Sequence, residues 1–291
     1  MTRRAEPVPS AAASGQSSSE VVRDSVRQPL LDVKDLSKTY GTGATAKRAI
    51  DELTFQVHEG EFLSVVGPSG AGKTTLLKCI AGLIRPTAGS LTFEGAPIDG
   101  PPAKMALVFQ DYSRSLFPWM TVEGNIALPL KAKRLRSPER SRRVSDALDA
   151  VGLADALRRY PWQLSGGMQQ RVALARAVAY QPDCLLLDEP FASVDAQTRF
   201  DLEDLVLRLR HKIGVTVIFV THDIDEAVYM SDRVVAVSRS PCRVTATMTV
   251  DLPRPRDQIQ TRSAPRFAAL RTELFELVRG LPVTVPTEDA P

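Results

Sequence analysis

From Leu30 onward, short apolar runs alternate with longer segments of helical spacing. Leu30-Leu31-Asp32-Val33-Lys34 opens ordered structure, and short alternating stretches continue to Phe55-Gln56-Val57. Gly60 closes a turn ahead of Phe62-Leu63-Ser64-Val65-Val66, whose dense apolar character predicts a buried strand. A glycine-rich loop follows, and helical character runs from Thr74 through Leu83. Ala106 to Phe109 reads as a strand. Cys184 to Leu187, ended by acidic residues, and Val215 to Val220 have the density of central parallel strands. Helical spacing recurs over Asp146 to Val151, with Gly152 as C-cap, and over Gln169 to Tyr180, Asp201 to His211 and Phe267 to Val278. Strands alternating with helices predict an α/β fold with a mostly parallel sheet. The middle, from Tyr112 to about residue 165, reads as an inserted helical region.

The ends differ from this pattern. Met1 to Gln28 is rich in Ser, Ala and Pro, and no apolar segment follows Arg3 and Arg4. A flexible tail is expected there and a secretory signal is not. Residues 29–250 form the main unit, and 251–291 form a C-terminal extension carrying Pro and Arg around its helix. No internal repeat is present.

Composition narrows the function classes. The 291 residues hold 37 Lys+Arg against 34 Asp+Glu, and a net charge of +3 is too small for a general polyanion binder. No stretch approaches the roughly 20 apolar residues needed to cross a bilayer. Cys79, Cys184 and Cys242 form no CxxC pair and no even disulfide framework, which suits a reduced, intracellular, soluble protein. The basic run Lys131 to Arg143 has two readings, a nucleic-acid contact or a solvated helical face. The second is the plainer one, and no nucleic-acid partner is expected.

Chemistry enters with Gly67-Pro68-Ser69-Gly70-Ala71-Gly72-Lys73-Thr74, which has phosphate-loop spacing between a strand and a helix. Its glycines let the backbone wrap phosphates, and N–H groups at the helix start supply a positive field. Lys73 would neutralise the β- and γ-phosphates, and the Thr74 hydroxyl would ligate Mg²⁺. A second part is Leu185-Leu186-Leu187-Asp188-Glu189, where an apolar strand carries an acidic pair to the sheet edge. Asp188 suits Mg²⁺, and Glu189 suits orienting and polarising a water. The third part is Leu164-Ser165-Gly166-Gly167-Met168-Gln169-Gln170-Arg171, where Ser and two glycines open a helix and make another anion site. Two separate phosphate-gripping elements suggest one ATP served from opposite subunits.

Together these stretches resemble the ATPase subunits of ABC transporters, and the resemblance covers Leu30 to about Val244. It implies a P-loop NTPase of ABC type, with an antiparallel β portion beside the parallel sheet and an inserted helical subdomain near 112–165. It also implies further site residues. Tyr40 would stack on adenine, Thr75 would join the ATP-binding loop, and Gln110 would contact Mg²⁺ and sense a membrane partner. Leu164, Ser165, Gly166, Gly167 and Gln169 would meet ATP across a homodimer interface, beside Asp195 in the loop after the Glu189 strand. His222 would reach the γ-phosphate. ATP is then the substrate and Mg²⁺ the cofactor.

The chain carries no fused membrane helices, no second ATPase unit, and no room between Lys73 and Ser165 for a long coiled coil. It therefore resembles a stand-alone subunit that docks on membrane permease subunits, peripherally, at the cytoplasmic face of the inner membrane. Phe117-Pro118-Trp119, Asp195 to Arg199, Thr221 to Ala227 and Leu252 to Arg256 are similar to the nitrate/sulfonate/taurine/bicarbonate importer ATPases, which also use a substrate-binding protein. Ala192-Ser193-Val194 departs slightly from that group's Gly-Ala-Leu and leaves Asp195 in place. The alternatives are an importer ATPase for another solute, such as a polyamine, metal chelate or amino acid, and a soluble ABC ATPase outside transport.

Overall fold

The computed structural model describes residues 28–111 and 115–280, so the expected tail up to residue 27 and the end from 281 lie outside it. In chain order its strands are β1 (Leu31–Tyr40), β2 (Lys47–Val57), β3 (Phe62–Val66), β4 (Ala88–Phe93), β5 (Ala96–Pro97), β6 (Met105–Val108), β7 (Cys184–Asp188), β8 (Thr216–Thr221), β9 (Arg233–Val237) and β10 (Val244–Thr249). The principal helices are α1 (Lys73–Ile80), α2 (Val122–Ala132), α3 (Ser137–Ala150), α4 (Gly166–Ala179), α5 (Ala196–Ile213), α6 (Ile224–Met230), α7 (Gln260–Ser263) and α8 (Pro265–Arg279).

Every residue of β3, β7 and β8 is buried, yet successive side chains enter different cores. Phe62, Val66, Leu185, Leu187, Val217 and Phe219 join one apolar cluster. Leu63, Val65, Leu186, Ile218 and Val220 join the other. This is the two-residue period of strands covered on both faces. The six-stranded sheet has the order β10-β9-β3-β8-β7-β6 and is parallel except at β10, which runs antiparallel to β9. The first cluster takes in α2 to α6 and, through Phe267, Leu270 and Leu274, α8. The second takes in α1 and the four-stranded antiparallel sheet β2-β1-β4-β5. The expected parallel sheet, antiparallel portion and helical insertion are all found.

Register is what builds the site. Val66 pairs with Thr221 and Asp188 with Val220, so β3, β7 and β8 end together at one sheet edge. Gly67, Glu189 and His222 leave the sheet side by side.

Several element boundaries differ from expectation. The first helix ends at Ile80, not Leu83, because Gly82 turns the chain at φ 66°. Gly152 sits one residue beyond the C-cap, Val151, at φ 70°. The helix anticipated at Asp201–His211 starts earlier, at Ala196, because Asp195 caps it by accepting from the Thr198 amide. The basic run spans the end of α2 and the start of α3 and is engaged locally. Lys133 donates to Tyr180 O at 2.9 Å, Arg140 to Leu135 O at 3.2 Å, and Arg143 pairs with Glu139.

Candidate functional site

Strand β3 delivers Gly67 to the sheet edge, and α1 begins six residues later at Lys73. Gly72, the N-cap, lies at φ 106°, and a Cβ there would stand 2.6 Å from Ala49 O. Glycine is required at that position by both backbone and space. Pro68 O accepts from Ala71 N at 3.2 Å and closes the loop, while Ser69 and Gly70 are exposed at its tip. Lys73 is only 3% exposed; its Nζ donates to Gly67 O at 2.7 Å and Pro68 O at 3.0 Å. Burial lowers its pKa, and the Glu189 carboxylate, 3.5 Å away, opposes that shift.

On β7, Asp188 is buried and its Oδ1 accepts from Thr74 Oγ1 at 3.2 Å. Desolvation raises its pKa, the Glu189 charge adds to the rise, and Thr74, Lys78 and Lys73 counter it. The next residue turns sharply. Glu189 adopts φ 40°, a left-handed backbone uncommon for a residue other than glycine, and its N–H donates to Val220 O at 2.9 Å. Such conformations cost about 1–3 kcal/mol and concentrate at functional sites. Beyond this turn Glu189 meets a different set of partners from Asp188. Its Oε2 accepts from Gln110 Nε2 at 3.2 Å and lies 3.1 Å from His222 Nδ1. His222 is half-exposed. One carboxylate thus stands among a lysine, an amide and an imidazole.

Tyr40, at the end of β1, is 45% exposed, its hydroxyl 3.5 Å from Thr75 Oγ1. Lys38 Nζ lies 5.3 Å from the ring centroid. A cleft of about 300 Å³ runs from Tyr40 along Gly70–Thr75 to Glu189 and is also lined by Lys47, Ala49 and Ser240. Those last three were not anticipated. Lys47 opens β2 after an uninformative loop, and Ser240 is brought in only by the β9–β10 connection.

The second anion element is built separately. Ser165 caps α4 by accepting from Met168 N at 3.3 Å, and Leu164 is buried in the core. Gly166 is exposed and Gly167 half-buried. Gln169 turns its amide inward, donating to Pro161 O at 3.0 Å and Leu164 O at 3.2 Å. Asp195 accepts from Thr198 N and Oγ1 at 3.0 and 2.7 Å, and these bonds lower its pKa. Among the described residues, no hydrogen bond joins Leu164–Gln169 or Asp195 directly to the cleft around Lys73.

A phosphate loop after one parallel strand, with an acidic pair ending the next strand but one in the same sheet, defines a P-loop nucleoside triphosphatase. The family model for ABC transporter proteins matches residues 50–192. An uncharacterised ABC transporter ATP-binding protein of Methanocaldococcus jannaschii is 43% identical over 249 residues, covering 86% of this chain and 91% of that protein. The nitrate transport protein NasD of Klebsiella oxytoca is 39% identical, covering 86% and 97%. The aliphatic sulfonates import ATP-binding protein SsuB of Bacillus licheniformis is 41% identical, covering 84% and 93%. Among solved structures, the ATP-binding cassette MJ0796, a dimer in a post-hydrolysis state bound to ADP and Pi, matches with a TM-score of 0.67 at 32% identity. That match covers 76% of this chain and 98% of the other. The chain belongs to the ABC transporter family, as its ATP-binding subunit.

Proposed function

We propose that the protein is the ATP-hydrolysing, energy-coupling subunit of an ABC importer for a small anion of the nitrate, sulfonate, taurine or bicarbonate class. The observation that carries the hydrolytic part is Glu189, held at 3.1–3.5 Å from His222, Gln110 and Lys73. In this reading Lys73 and the backbone N–H groups of Ser69–Thr75 bind the β- and γ-phosphates, with Gly67 and Pro68 shaping the loop. Glu189 orients the attacking water and accepts its proton, and His222 holds the γ-phosphate. Tyr40 offers its ring face to adenine.

The donor set fits Mg²⁺. Thr74 and Asp188 present hard oxygens 3.2 Å apart, and the desolvation of the buried Asp188 is only partly offset by Thr74, Lys78 and Lys73, which a cation would complete. No cluster of three or more acidic, His or Cys side chains capable of caging a metal occurs among the described residues. Mg²⁺ is ordinarily held by one or two carboxylates together with substrate phosphates, which suits Asp188, Thr74 and Gln110. Bound there, it would neutralise charge on the transferred phosphoryl group.

Ser165, Gly166 and Gly167 would face the partner subunit's ATP, with Asp195 at the interface, so a homodimer closes around two ATP molecules; Leu164, buried in the core, and Gln169, whose amide donates to Pro161 O and Leu164 O, instead hold the turn that presents them. The dimeric, ADP- and Pi-bound relative supports this arrangement. The anion class rests on the nitrate and sulfonate relatives and on the bicarbonate transport ATP-binding protein CmpC of Synechococcus elongatus, 42% identical over 247 residues that cover 84% of this chain and 37% of that protein. No described helix is long and apolar enough to cross a membrane. The subunit would sit at the cytoplasmic membrane face through its permease, which receives cargo from a binding protein. Affinity isolation from detergent-solubilised membranes tests this. A multi-spanning protein should co-purify, and ATPase in the reconstituted complex should rise with nitrate, a sulfonate or bicarbonate. Recovery free of membrane protein, with ATPase stimulated by RNA, would contradict the proposal.

A further inference from the structure

The Gly167 element and the Glu189 cluster meet through one short chain of contacts. A Cβ on Gly167 would stand 2.6 Å from Thr198 Cγ2, so the α4 start and the first turn of α5 touch without slack. Thr198 is held by both oxygens of Asp195. Its neighbour Arg199 reaches across to the His222 loop, Nη1 standing 3.4 Å from Asp223 Oδ2 and Nε 3.8 Å from Glu226 Oε1.

That loop is fixed on either side of the imidazole. Asp223 Oδ1 accepts from Asp225 N at 2.8 Å and Glu226 N at 3.2 Å, capping α6. The Asp223 N–H donates to Thr221 Oγ1 at 3.0 Å, and Thr221 Oγ1 donates to Glu226 Oε2 at 2.6 Å. His222 is the residue between them. Glu226 is buried and Arg199 is only 31% exposed, so their attraction is screened less than a surface pair. Arg199 Nε has no hydrogen-bond partner among the described residues. A buried donor aimed at a carboxylate 3.8 Å away has room to close.

We propose that Arg199 is a positioning residue that ties the Gly167–Thr198 contact to His222, so that closure of one ATP site adjusts the catalytic carboxylate of the other through a single chain. The inference rests on the hydrolytic reading of Glu189 and His222. A double-mutant cycle between Arg199 and His222 reads that coupling directly.

ATPase kinetics of the full-length chain are measured for Arg199→Met, Arg199→Lys, His222→Ala and the Arg199→Met/His222→Ala double variant, with Tm for each. Arg199→Met is expected to lower kcat roughly 10-fold. Its KM for ATP should stay within about 2-fold, and its Tm should fall by no more than about 4 °C, the scale of one part-exposed ion pair. Arg199→Lys should recover part of the loss. On the His222→Ala background, Arg199→Met should cost nothing further. An unchanged kcat in Arg199→Met, or its full cost persisting without His222, overturns the proposal. If Arg199→Met does not fold, Arg199→Gln is read the same way. A fold that neither substitution survives makes the residue structural and also overturns it. Glu189→Gln serves as the control. Wild-type turnover there sinks the site reading itself, whereas an inactive Glu189→Gln beside a fully active Arg199→Met sinks only the role of Arg199.

Discussion

His222 Nδ1 stands 3.1 Å from Glu189 Oε2 because their strands pair with Asp188 opposite Val220. Two residues 33 positions apart become neighbours through sheet register, and the imidazole leans on the carboxylate it would assist. Removing it should therefore affect chemistry more than binding. For His222→Ala, kcat is expected to fall roughly 10²-fold, the usual cost of one preorganised group. KM for ATP should change little, since Lys73 and the loop amides remain. A rise in KM at unchanged kcat would assign His222 to ground-state binding.

Asp188 and Thr74 lead to a metal prediction. Asp188 is buried, its carboxylate accepts from Thr74, and its pKa is raised by desolvation. Chelation by EDTA should abolish turnover. Asp188→Asn should raise the Mg²⁺ concentration for half-maximal ATPase about tenfold or more. ATPase that persists in EDTA would remove Mg²⁺ from the account.

Glu226 makes stability depend on pH. Burial pushes its carboxyl from 4.5 up to about 7, with Asp223 and Glu203 adding to the rise and Thr221 and Arg199 opposing it. Below about pH 4.5 the group is protonated in both states and contributes nothing. Between 4.5 and 7 the unfolded chain has released a proton that the folded chain still holds, so stability falls as pH rises. Above 7 the penalty is complete, at about 3 kcal/mol. Glu226→Gln removes it. Its Tm relative to wild type should therefore be higher at pH 8 than at pH 5, as thermal melts across that range will show. A pH-independent difference would mean that Glu226 is not buried as described.

How much of this was readable in advance depended on how local each signal is. The strands β3, β7 and β8 were legible because burial on both faces makes them unbroken apolar runs. β10 was not, since Val244–Thr249 is an edge strand of alternating exposure rich in Thr. β1 was blurred by register shifts between Val33 and Leu36 and between Leu36 and Lys38. The phosphate-loop and Leu164–Arg171 residues could be named because each set is consecutive. Lys47 and Ser240 reach the cleft only through tertiary packing, and Arg199 meets Asp223 across 24 positions. The left-handed backbone of Glu189 has no sequence signal, because nothing about glutamate marks such a turn.

In the proposed mechanism Glu189 activates water for ATP hydrolysis at a closed dimer. Single-turnover ATPase and ATP-dependent dimerisation of Glu189→Gln test it most directly. ATP should still bind, a stable dimer should accumulate, and hydrolysis should drop roughly 10²-fold or more. Hydrolysis at the wild-type rate in that variant would contradict it.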